Sequence, residues 1–176
     1  MTGTDVIPGA RQRGDADSIS LYGVRFRFVL RADEARRALS IVEVEIPPQT
    51  LVKPHRHRAE DEYTLVLGGT LGVRLGDEEL SAGPGTYLRK PRGIPHAIWN
   101  AGSETAQILE ILVPGGFERY FEEIEPILER GQGDAAAYET LAERYGVEIL
   151  DDWTEELEAA HGVTLRAPGY QPGGGG

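Results

Sequence analysis

Three of the four histidines in this 176-residue chain fall between positions 55 and 100, with a carboxylate among them. His55 and His57 are spaced i, i+2. On a β-strand such residues share a face and stand roughly 6.6 Å apart at about 3.3 Å per residue, so both imidazoles can lean onto one ion. Glu62 opens the next extended run, Glu62–Leu67, and can add a carboxylate oxygen. His96 arrives on a separate strand, after Pro91-Arg-Gly93-Ile-Pro95, a segment too rich in Pro and Gly for a helix. Three imidazoles and one carboxylate suit a divalent transition ion: iron, nickel, manganese, cobalt, copper or zinc. Calcium and magnesium favour oxygen ligands. The fourth histidine, His161, precedes Gly162 at a predicted helix end, where a cation complements the helix dipole, and reads as structural.

The elements that must position these side chains are mostly short strands. Residues 1–18 lack hydrophobic pattern and read as a flexible arm. An extended run from Ile19 to Leu30 follows, with Phe26, Phe28 and Leu30 on one face. A second runs from Ala38 to Ile46 and ends at Pro47-Pro48. After the Glu62 strand, Gly68-Gly69 turns the chain into Thr70–Leu75, and Gly76-Asp77 reads as a hairpin turn. Further strands are expected around Thr86–Leu88, His96–Asn100 and Thr105–Val113. Eight or nine short strands between Gly/Pro turns predict an all-β, antiparallel jelly-roll barrel over 19–113, whose closed interior lets inward histidines meet.

Beyond Pro114 the period changes to helical, giving a segment of C-terminal α-helices over 114–162. Phe117, Tyr120, Phe121, Ile124, Ile127 and Leu128 form one apolar stripe, with Pro126 expected to split or kink the helix. A second helix is expected after Asp134 as cap, ending at Gly146, and a third from Trp153 to His161 with Asp152 as cap. Residues 163–176 read as a disordered tail. Of the aromatics near the ligands, strand parity sets Tyr63 opposite Glu62 and Trp99 opposite His96. Tyr87, Phe26 and Phe28 remain candidates for a cavity wall. Asn100 is expected to fix a turn through its amide.

Composition narrows the partners. A net charge of −11 repels nucleic-acid phosphates and anionic lipid, so neither is expected as a partner, and a small molecule is. No apolar run approaches the length of a membrane span, and the start lacks a signal-peptide pattern. With no Cys there are no disulfides and no thiolate ligands. Together these favour a cytoplasmic location.

The same residues resemble the cupins. That family's first motif carries His-x-His, a Glu after four intervening residues, then a Gly, as do His55, His57, Glu62 and Gly69. Its second motif is matched by Gly85, Pro91, Gly93, His96 and Asn100. Gln49 stands where the family usually has a Gly before the first His. The resemblance implies a metal held by His55, His57, Glu62 and His96, and a homodimer paired through barrel edge strands. It also implies a range of functions. Small monocupins similar to bacterial quercetin dioxygenases use a three-His, one-Glu site on aromatic substrates, and Pro114–Glu123 looks like the helix that follows their barrel. Polyketide cyclases, isomerases and lyases, or a non-catalytic binding barrel, are the alternatives. Either enzyme reading casts Glu62 as ligand or as catalytic base. The 2-oxoglutarate oxygenases fit less well, since their acid falls where His57 stands. The arm is too short for the helix-turn-helix of DNA-binding cupin regulators.

Overall fold

The computed structural model describes residue 10, residues 12–129 and residues 135–169. Its strands are β1 (Ser18–Leu21), β2 (Val24–Leu30), β3 (Ser40–Ile46), β4 (Thr50–Leu51), β5 (His55–His57), β6 (Asp61–Gly68), β7 (Leu71–Leu75), β8 (Glu78–Ala82), β9 (Tyr87–Lys90), β10 (His96–Asn100), β11 (Ala106–Val113) and β12 (Val147–Ile149). The helices are α1 (Glu118–Glu129), α2 (Ala135–Arg144) and α3 (Asp151–His161). One sheet runs β1-β2-β3-β11-β6-β9 and the other β12-β5-β10-β7-β8, with β4 also on β10. All of these strand pairs are antiparallel, so the chain is an all-β jelly-roll barrel with C-terminal α-helices, as the strand spacing predicts.

Alternation fills the interior. Val24, Phe26 and Phe28 of β2 and Ala106, Ile108 and Leu112 of β11 are buried on the facing side. In β10 every residue is buried: His96, Ile98 and Asn100 point inward, while Ala97 and Trp99 are covered from outside with Leu157 of α3. Trp99 lies so close to β7 that a Cβ on Gly72 would overlap its indole. Asn100 ties its turn as expected, donating to the carbonyls of Ile46 and Glu104 and accepting from the Gly102 N–H. Gln49 adopts φ 56°, the left-handed backbone for which a glycine is the usual solution.

Several expectations need correction. The run Ile19–Leu30 is two strands, because Tyr22 and Gly23 both take positive φ and make a two-residue hairpin turn. Pro126 lies inside α1, which continues through it. The segment 114–162 is not wholly helical: Val147–Ile149 adds β12 alongside the His55–His57 strand. α3 begins at Asp151 with Leu150 at its N-cap, so Asp152 is not the cap. The tail is ordered as far as 169, because Thr164 bridges Thr50, Val163 is buried and the Ala167 N–H donates to Tyr22. The expected Asp134 cap and the tail from 170 onward lie outside the described residues. Of the arm, Arg13 is anchored on the carboxylates of Glu43 and Glu45.

Candidate metal centre

β5 and β10 pair at His55↔His96, which fixes two of the imidazoles side by side. His57 lies one inward position further along β5, and Glu62 starts the inward series of β6. The loop that delivers His96 is held by the Gly93 N–H, which donates to the His57 carbonyl at 2.7 Å. Gly93 sits at φ 77°, where a side chain would be strained. All four sequence-predicted ligands therefore converge, and one ligand atom from each lies within 4.8 Å of the others. His57, Glu62 and His96 are buried, and His55 is half-buried.

The donor geometry fits an ion. His55 Nε2 is 3.1 Å from His57 Nε2 and 3.2 Å from His96 Nε2. Glu62 lies 3.0 Å from His96 Nε2 and 3.5 Å from His57 Nε2. Bonds of about 2.1 Å would separate adjacent donors by about 3.0 Å in an octahedron and about 3.4 Å in a tetrahedron. The far side of each ring also faces oxygen. Nδ1 of His55 meets the Lys53 carbonyl at 2.7 Å, and Nδ1 of His96 meets the Ile94 carbonyl at 3.2 Å. Carbonyls only accept, so both rings carry the proton on Nδ1 and turn an Nε2 lone pair towards the centre. Nδ1 of His57 faces Glu60 at 3.4 Å in the same sense. Lone pairs of imidazoles this close to one another repel unless a cation or proton lies between them. Three histidines and one carboxylate with this second layer of acceptors are what a transition ion requires.

The charges agree. Burial, reinforced by the charges of His96 and His57, drives the His55 imidazole well below the usual histidine range. Burial alone would lower His57 too, but Glu62 and Glu60 outweigh it and push it up to about 9. Burial would raise Glu62, yet Lys90 and His57 hold it well below the usual carboxylate range. Glu62 is thus held ionised, the form in which a carboxylate can ligate an ion.

Sequence reasoning missed the cation and the acid behind Glu62. Lys90 is 3% exposed, with Nζ 3.0 Å from Glu62 and 2.9 Å from Glu110. Thr64 Oγ1 donates to the other Glu110 oxygen at 2.8 Å. Parity carried the signal: Glu110 interrupts the inward series Ile108, Leu112, and Lys90 follows Leu88 on the inward side of β9.

Two cavities meet these ligands. A void of about 50 Å³ inside the barrel is lined by His55, Glu62, Lys90, His96 and Glu110 and by apolar side chains. Beside it, between barrel and helices, lies a cavity of about 730 Å³ that also reaches His55. Phe26 and Phe121, stacked at 4.5 Å between ring centroids, line both. Phe117 sets its ring against His57 at 4.3 Å. Tyr87 is 79% exposed and lines neither cavity, and Phe28 is core. Tyr63 faces outward, opposite Glu62, as parity requires. His161 stacks on Trp99 at 4.4 Å and pairs with Glu79 at 3.3 Å, away from the ligands.

Residues 42–112 match the Cupin domain family, and no curated protein matches the chain significantly. Among solved structures, a predicted oxalate decarboxylase from Thermotoga maritima superposes with a TM-score of 0.56 at 18% identity, covering 60% of this chain and 99% of its own. KdgF from Halomonas sp. gives 0.56 at 18%, covering 61% and 96%. The polyketide cyclase RemF from Streptomyces resistomycificus gives 0.56 at 22%, covering 61% and 80%. At these identities the likeness is one of fold. The stretch that carries the four candidate ligands is thus similar in sequence to the Cupin domain family, and the barrel around it is similar in fold to these structures.

Proposed function

We propose that this chain is a metal-dependent enzyme acting on an apolar, aromatic small molecule of flavonol or polyketide type, and that the reaction is a dioxygenation. The observation that carries this reading is the joining of the four-ligand centre to an aromatic-walled cavity. Phe26, Phe117, Tyr120, Phe121, Ile124 and Leu128 line a space of about 730 Å³, within the range that holds a drug-sized ligand. His55, His57, Glu62 and His96 would hold the ion. A redox-active divalent ion there supplies a centre at which dioxygen and an electron-rich ring can exchange electrons. In a dioxygenation both oxygen atoms end in the product and the substrate supplies the electrons, so no separate reductant is needed.

The protein's own groups favour this chemistry over proton abstraction by Glu62. Lys90 keeps Glu62 ionised and in place. The inner void of about 50 Å³, walled mostly by Val42, Val44, Ile108, Leu112 and Phe121, has room for a small apolar molecule beside the ligands. The stacked Phe26 and Phe121 keep bulk water from that space.

One observation favours a redox-neutral cyclase, isomerase or lyase instead. Glu110 lines the inner void, and burial, only partly offset by Lys90, raises its carboxyl to about 7. Such a group can take or give a proton near neutral pH. Metal-loaded protein incubated with a panel of flavonols and aromatic polyketides under ¹⁸O₂ and under argon separates the two. The dioxygenase reading predicts oxygen uptake and two labelled atoms in one product. Equal conversion under argon would replace it with the redox-neutral one.

A further inference from the structure

We infer that Lys90, braced by Glu110 and Thr64, is a positioning residue that holds Glu62 in its ligand orientation and thereby sets how tightly and in what geometry the centre binds its ion. The inference rests on the metal-centre reading above and adds residues outside the ligand set. Strand register builds the device. Lys90 is the cross-strand partner of Glu62 on β9 and β6, and Glu110 is the partner of Thr64 on β11 and β6. Three neighbouring strands thus place one ammonium between two carboxylates on the inner face of the barrel.

Every contact in the device is short and made between buried residues. Lys90 Nζ is 3.0 Å from Glu62 Oε2 and 2.9 Å from Glu110 Oε1, and all three residues are buried. Glu110 has no slack, because its second oxygen accepts from Thr64 at 2.8 Å. Lys90 is therefore fixed from behind by Glu110 while its ammonium meets Glu62.

A buried ion pair is weak as a source of stability, since apolar residues of similar volume often serve as well. The location at a ligand gives the pair a reason. Shared between Glu62 and Glu110, the ammonium ties the ligand carboxylate to a second, braced one. Glu62 Oε2 stands between the ammonium and His96 Nε2, 3.0 Å from each, so Lys90 holds that carboxylate against the imidazoles. Swinging Glu62 away would strand Lys90 beside one carboxylate. Groups behind a metal ligand commonly govern affinity in this way.

The test is Co²⁺ binding, read by chelator competition and by the visible absorption of the bound ion. K90M alone would leave Glu110 buried without a cation, so the informative variant is the charge-neutral K90M/E110Q, compared with wild type, E62Q and the triple variant. The expected result is a roughly 10–100-fold weaker Kd for K90M/E110Q with an altered Co²⁺ spectrum. Introduced into E62Q, the same two changes should alter Kd by less than about twofold, because they act through Glu62. E110Q alone, which keeps the ammonium on Glu62 and loses only the brace, should weaken binding in the same direction by less. An unchanged Kd and spectrum in K90M/E110Q, or an equal loss in the E62Q background, would overturn the inference. Failure of the wild-type chain to bind Co²⁺ would instead overturn the metal-centre reading itself, and the inference with it.

Discussion

Phe121 is where the helical layer meets the two cavities beside the candidate ligands, and Phe121→Ala separates packing from gating. The ring stacks on Phe26 at 4.5 Å, meets Phe117 edge-on at 5.3 Å and lines both cavities beside the ligands. It is only partly buried, so truncation removes about 100 Å² of buried apolar surface, or about 2.5 kcal/mol at 25 cal/mol per Å². The lost ring contacts add about 1 kcal/mol. The expected loss is therefore about 3.5 kcal/mol, in the lower part of the range for a fully buried Phe. Urea unfolding measures that loss, and turnover is then measured on protein shown to be folded and metal-loaded. If α1 shields the centre, kcat/KM falls about tenfold or more at unchanged metal content, because water and substrate are no longer held apart. Phe121→Trp should recover the stability while obstructing the passage between the cavities. An unchanged kcat/KM in folded, metal-loaded Phe121→Ala would refute the gating argument and leave α1 as packing.

Further outcomes follow from particular residues. In metal-free protein the raised His57 value, about 9, stands above the ordinary value of about 6.5. Its protonated form therefore stabilises the fold fully below pH about 6.5, and that contribution, on the order of 3 kcal/mol, is lost as pH rises towards 9. Urea midpoints of the metal-free protein should fall across that window, and His57→Gln should flatten the fall. Gly72→Ala forces a methyl group into the Trp99 indole and should cost about 2–3 kcal/mol by thermal or urea unfolding. A homodimer is expected, and Tyr63, Leu67 and Tyr87 give it an exposed apolar face on β6 and the edge strand β9. Sedimentation should then report about twice the chain's 19.2 kDa, and Tyr87→Glu should return the mass to that of one chain.

The ligands were legible because strand parity and loop chemistry are local. His55 and His57 share a face at a spacing of two, and Gly93 must take a positive φ for the loop to deliver His96. Gln49 shows the limit of such reasoning, since a non-glycine residue accepts the left-handed backbone there. What sequence did not reveal depends on register between distant strands. Lys90 is exposed or buried, free or paired, according to which residue of β6 it opposes, and only the pairing with Glu62 decides it. β12 was hidden for a similar reason. Val147-Glu-Ile149 is too short to announce a strand, and it forms one because the open edge of β5 accepts it. Trp99 parity was right, but α3, which buries it, belongs to a segment about fifty residues further on.

The central claim is that His55, His57, Glu62 and His96 form one metal centre, and metal stoichiometry tests it most directly. Elemental analysis of purified protein, and of protein reconstituted with iron, nickel, manganese, cobalt, copper or zinc, should give one divalent transition ion per chain. His57→Ala should lose it, because the removed ring is buried among the other three ligands and supplies one of the three imidazoles. A folded wild-type chain that takes up none of these ions, or a His57→Ala variant that retains one ion per chain at wild-type affinity, would contradict the account.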